Sequence, residues 1–121
     1  MENVLDKAEI IINLSLKEKL LAKVTIRVNN EFEIRFCRIT RRENGTLWFQ
    51  PPALQHFGFA VCFGVLEKED WYRLERRVIN KFFEVVQTSR TFDQDFIDEL
   101  QKSWKKDMSS REEIGLDKIP L

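Results

Sequence analysis

The sequence predicts an α+β protein: an antiparallel β-sheet of about four to five strands, followed by one long helix and an additional C-terminal helix. Three observations point there. Between residues 21 and 36 apolar and polar side chains alternate with the period of two that marks a half-buried strand. Asparagine-rich turn signals, Asn29-Asn30 and Asn44-Gly45, punctuate that alternation. From about residue 68 the apolar spacing lengthens to a helical one and stays so.

Taken in order, "EIIINLSL" (9–16) is a β-rich run that ends at the charged "KEK", a turn, before "LLAKVTIRV" (21–28). In the second strand Val24, Ile26 and Val28 alternate with Lys23, Thr25 and Arg27. In the third, Phe32, Ile34 and Phe36 alternate with Glu33 and Arg35. A two-residue Asn29-Asn30 loop opposes Ile26 to Glu33 and mixes the faces. A three-residue loop, 29–31, pairs Val28 with Phe32, Ile26 with Ile34 and Val24 with Phe36, and sets Arg27 against Glu33 on the outer face. The odd loop is expected.

The same reasoning applies to "ENGTLWFQPP". A three-residue loop, 43–45, opposes Phe49 to Ile39 and puts Gly45 where a left-handed residue is wanted. Trp48 then shares the other face with Thr40, with Arg38 and Arg42 diagonal to it, while Arg41 falls on the Leu47–Phe49 side. The apolar phase is even-numbered up to Phe36 and odd-numbered from Ile39, so a bulge or strand break is expected near Cys37-Arg38. Pro51-Pro52 ends the strand, since proline donates no ladder hydrogen bond. "HFGFAVCFGVL" (56–66) reads as a further strand, with Phe57, Phe59, Val61, Phe63 and Val65 on one side and small residues on the other.

Trp71, Leu74, Val78, Phe82 and Val86, widened by Ile79, Phe83 and Val85, make one stripe of a helix over 68–87. Residues 91–108 read as a second amphipathic helix, with Thr91 and Gln94 at capping-box spacing and Phe92, Phe96, Ile97, Leu100 and Trp104 on its face. Residues 109–121 read as a loose tail. The expected division is a sheet-plus-helix domain over 1–90, the extra helix 91–108 packed on it, and the tail.

Composition bounds the function. With 121 residues, 43% hydrophobic and 33% charged, a single folded domain is expected rather than a disordered chain. Lys plus Arg equals Asp plus Glu, 20 against 20, so an electrostatic partner must be read from local asymmetry. Cys37 and Cys62 lack the spacing of a disulfide framework or a zinc knuckle. His56 is the single histidine, which argues against a catalytic triad or a multi-histidine metal centre. The four glycines are scattered and make no phosphate-cradling loop. The reading is therefore of a protein that is not an enzyme and has no cofactor and no metal. The longest apolar run, 57–66, is too short to span a bilayer, and "MENVLDKAEI" carries no signal-peptide core, so a cytoplasmic protein is expected.

The stretch "AKVTIRVNNEFEIRFCRITRRENGTLWFQPP" (22–52) resembles the stage V sporulation protein G (SpoVG, septation regulator) family. It follows that family's rhythm of Ile26, Glu31-Phe32, Ile34, Arg38-Ile39, Asn44-Gly45 and then Pro51 without a gap. Residues 10–86 can be laid on the pattern. After Pro51 the chain departs from it: Pro52-Ala53-Leu54 replaces a small polar and then a basic residue. Cys62-Phe63-Gly64-Val65 stands where the family has Asp–Ile–Ala–His–Pro–Ile, and the helix from Thr91 is extra. The resemblance implies a small dimeric regulator that binds nucleic acid and can also act through protein partners.

Residues 23–42 carry six basic side chains against two acidic ones. Lys23, Arg27, Arg35, Arg38 and Arg42, with Trp48 beside them, form the candidate nucleic-acid-binding set for DNA or RNA. Guanidinium and ammonium groups neutralise phosphates, and an indole stacks a base at about 1–3 kcal/mol. The competing reading is a solvated face in which Trp48 is capped by its arginines or covered by the C-terminal helix, with the protein serving as an interaction or structural module, a homodimer that binds no nucleic acid. A third is a fold like that of single-stranded-DNA-binding coactivators, a few strands followed by a helix opening near Trp71. A second basic cluster, Lys102, Lys105, Lys106 and Arg111 around Trp104, reads as a helix C-terminus that favours cations.

Overall fold

A computed structural model of the chain describes residues 4–17, 19–43, 45–51, 53–54, 60–61 and 68–114. A short 3-10 turn, Val4–Lys7, leads into β1 (Glu9–Lys17), β2 (Leu20–Val28), β3 (Phe32–Arg41) and β4 (Leu47–Gln50). These four strands form one antiparallel meander in the order β1-β2-β3-β4. Ala53–Leu54 (β5) and Ala60–Val61 (β6) make a separate two-stranded ladder. Two helices follow, α1 (Lys68–Thr88) and α2 (Gln94–Ile114). The architecture is α+β, with four strands in the main sheet.

Of the strand expected over 56–66, Ala60 and Val61 lie among the described residues, and they pair with Ala53 and Leu54 rather than extending the four-stranded sheet. The expected places of His56 and Cys62 fall outside the described residues. The proline stop holds at its near side: β4 ends at Gln50, immediately before Pro51.

Both odd loops form. Val28 pairs with Phe32, Arg27 with Glu33 and Ile26 with Ile34. Asn29 and Asn30 both adopt positive φ (52° and 58°), and the Glu31 N–H donates to the Val28 carbonyl at 3.0 Å. Asparagine tolerates the left-handed region better than other non-glycine residues, which is why an Asn-Asn pair can hold this turn. In the second loop Ile39 pairs with Phe49 and Thr40 with Trp48. Gly45 sits at φ +89°, and its N–H donates to the Arg42 carbonyl at 2.9 Å.

The phase change in β3 is resolved earlier than expected. Val24 pairs with Cys37, not Phe36, so Arg35 and Phe36 together stand opposite Thr25. The bulge therefore lies at Arg35-Phe36, with Phe36 at φ +69°, and not at Cys37-Arg38. Its consequence is a swap: Cys37 is fully buried in the core, and Phe36 is 78% exposed. Burial pushes the Cys37 thiol up to about 11, because an apolar environment disfavours the thiolate.

One face of the sheet carries the core. Ile10, Val24, Ile26, Val28, Cys37, Ile39, Leu47 and Phe49 meet the helices there. All five residues of the α1 stripe, Trp71, Leu74, Val78, Phe82 and Val86, are buried. Trp71 stacks on Phe49, ring centroids 5.2 Å apart and planes within 17°. The α1 helix packs on β1 and β4, while α2 packs on β4 and α1. Ile97, Leu100 and Trp104 of α2, and Phe92 just before it, are buried as the spacing predicts.

The start and end of α2 differ from expectation. Asp93, not Thr91, caps it: the Phe96 N–H donates to the Asp93 carboxylate at 2.8 Å. The Thr91 hydroxyl instead pairs with that of Ser89 at 2.7 Å. The helix runs past Met108 to Ile114, so the first part of the segment read as a loose tail is helical.

Candidate nucleic-acid interface

Because the helices occupy one face of the sheet, the other face is formed by the opposite set of alternating residues. Glu9, Ile11 and Asn13 come from β1, Lys23, Thr25 and Arg27 from β2, Glu33, Arg35, Arg38 and Thr40 from β3, and Trp48 and Gln50 from β4. The cross-strand pairs Lys23–Arg38, Arg38–Gln50 and Thr40–Trp48 put the basic and aromatic residues next to one another. Register alone assembles them. A one-residue slip in either loop would turn Trp48 into the core and Phe49 out of it.

Trp48 is exposed, and the Arg42 guanidinium lies 4.6 Å from its ring centroid. The α2 helix does not cover it, for that helix docks on the opposite face. Beside its buried apolar stripe, three contacts tie the helix to the β3–β4 hairpin. The Arg41 guanidinium donates to Glu99 at 2.7 Å and lies 5.4 Å from the Phe96 ring centroid, and the Ser103 hydroxyl donates to the Gly45 carbonyl at 2.9 Å. Arg41 is thus a half-buried rim residue of the core side, as its register position predicts.

The five basic residues of the candidate set do not form one patch. Arg27 bridges Glu33 at 3.0 Å and Glu9 at 3.2 Å, and Arg35 donates to the other oxygen of Glu33 at 3.0 Å. Hydrogen bonds from Arg35 and then Arg27 hold the Glu33 carboxyl below its usual range, and Glu33 and Glu9 hold the Arg27 guanidinium above its own. At that end of the face charge is matched.

At the other end, Lys23, Arg38 and Arg42 have no acidic partner among the described residues. Lys23 and Arg42 are exposed and Arg38 is half-buried. The nearest acid on the loop, Glu43, is engaged by Lys19 at 3.4 Å. The structure therefore brings together Lys23, Arg38, Arg42 and Trp48, and sets Arg27 and Arg35 apart in a neutral network.

Sequence reasoning missed Phe36, which it placed in the core. The signal for it was present, as the change of apolar phase between Phe36 and Ile39. Setting the bulge at Arg35-Phe36 instead of Cys37-Arg38 would have turned the ring outward. Among the described residues no three His, Cys, Asp or Glu side chains come together as metal ligands would, and no helix is long and apolar enough to cross a membrane. No family model and no curated protein matches this sequence.

Proposed function

We propose that this protein is a small, non-catalytic cytoplasmic regulator that binds single-stranded DNA or RNA across the open face of its sheet. The observation that carries the reading is that Lys23, Arg38 and Arg42, basic side chains without acidic partners among the described residues, share one sheet face with the exposed Trp48. An unstacked base takes the place of the Arg42 guanidinium over the indole, and the displaced Arg42, with Lys23 and Arg38, neutralises neighbouring phosphates. A duplex hides its bases from a flat sheet, so the single strand is the better fit. The resemblance of residues 22–52 to the SpoVG family agrees with a regulator of this kind.

A fluorescence anisotropy titration with labelled single-stranded DNA, single-stranded RNA and duplex, each at two salt concentrations, tests the proposal. Three phosphate contacts to a single strand give a log–log salt slope of about −2. Affinity insensitive to salt, or no affinity for either single strand, overturns it.

The second reading is a homodimeric or protein-binding module without nucleic acid. It draws support from β1, a nine-residue strand that pairs on one side only among the described residues and leaves backbone groups for another chain. Light scattering separates the two. A dimer that binds no nucleic acid favours the module.

A further inference from the structure

We propose that Phe36 is a second base-stacking platform on the open face, so that a bound single strand runs from Phe36 past Arg38 to Trp48. The inference rests on the single-strand reading above and adds the footprint of the ligand.

Phe36 combines three properties that the fold alone does not require. It is 78% exposed, it holds φ +69°, and it sits in a bulge with Arg35 opposite Thr25. A bulky side chain in the left-handed region strains the backbone, and an apolar ring in water gains nothing from folding. Asparagine or glycine would relieve both. Bulges re-aim side chains beside functional sites, and this one turns Phe36 outward while Cys37 fills the core position against Val24.

The spacing defines what can bind. Phe36 lies four residues before Thr40, the cross-strand partner of Trp48. The two rings are therefore separated by roughly 13 Å along β3 and by one strand spacing, about 4.8 Å, across it. Stacked rings keep their centroids within about 7 Å, so no single base reaches both. Each ring takes its own base, and Arg38, which lies between them on β3, meets the backbone that joins the two. The ligand is a strand of several nucleotides with its bases splayed, in which a mononucleotide satisfies one platform only.

The test uses the full chain and labelled oligothymidylates of increasing length, with Trp48→Ala, Phe36→Asn and Phe36→Leu beside the parent. Phe36→Asn is expected to melt no lower than the parent and to weaken binding of the longer oligomers roughly 5- to 100-fold. Phe36→Leu, which keeps an apolar side chain but loses the ring, should weaken binding similarly. Loss of affinity in Trp48→Ala with full affinity in both Phe36 variants overturns the second platform and leaves the single-strand reading standing. A parent that binds no oligomer overturns both. A Phe36→Asn protein that goes from dimer to monomer in light scattering, with unchanged oligomer affinity, overturns the platform in favour of a second copy of this chain on Phe36.

Discussion

The two ends of the open sheet face use the same residue types and reach opposite electrostatic states. At one end Arg27 and Arg35 converge on Glu33, with Glu9 completing the network, and each cation has an anion within 3.2 Å. At the other, Arg42 lies on Trp48, and Arg38 and Lys23 share the same face, without an acid partner among the described residues. The difference shows that counting basic residues along a hairpin does not locate a binding surface. Exposed ion pairs contribute little to stability, but they leave little net field for a polyanion. Of the two ends, the unmatched one carries the net positive charge among the described residues.

The largest expected effect comes from reversing charge at the unmatched end. Arg38→Glu with Arg42→Glu should lower single-strand affinity by about 100-fold or more at low salt and remove roughly one counterion from the salt slope per site. Arg27→Ala with Arg35→Ala should change it far less. Equal losses in the two pairs, measured by anisotropy, would erase the distinction between the ends.

Trp48→Ala comes next, with about 1–3 kcal/mol of binding lost. Its neighbour sharpens the point: Phe49, fully buried against Trp71, should lose about 3–5 kcal/mol of fold stability on change to alanine. Trp48→Ala should unfold at nearly the parent's denaturant midpoint. A large stability loss in Trp48→Ala would mean that the indole is structural.

Gly45→Val probes the loop that sets this register. At φ +89° a β-branched residue is strained, and about 1–2 kcal/mol of stability should go in chemical denaturation. An unchanged midpoint would show that the loop tolerates another conformation.

The smallest effect is the most diagnostic of the matched end. Glu33→Gln frees Arg35, leaves Arg27 with Glu9 alone, and should raise polyanion affinity, on the order of two-fold, with a steeper salt dependence. The same change has a sign in pH. The folded-state value of Glu33 is depressed, so its contribution is present above the ordinary carboxylate range and lost as pH falls through the lowered folded value. Glu33→Gln should flatten that acid-side decline in a melting series. A parent with no such decline attributable to Glu33 would show the network to be electrostatically idle.

Strand alternation and loop parity by themselves determined the α+β class, the three-residue turns, the opposition of Trp48 to Thr40 and the buried stripe of α1. These are legible because side-chain direction in a strand has a period of two, so a buried face leaves one register that keeps apolar residues together. Helix periodicity works in the same way. What only the tertiary structure decided is which of two adjacent positions absorbs the phase change in β3, and which anions the cations other than Arg27 find. Either placement of the bulge preserves most of the alternation, and the choice at Arg35-Phe36 is made by packing, where Cys37 rather than Phe36 fills the space against Val24. Loop parity already set Arg27 against Glu33, but that Glu9 and Arg35 join the same network across β1 and β3 is not written in their sequence spacing. Trp48 is open because α2 buries Ile97, Leu100 and Trp104 in the core on the other side of the sheet, with Arg41 and Gly45 meeting it at the rim. An amphipathic helix states that it will be buried; the sheet states where.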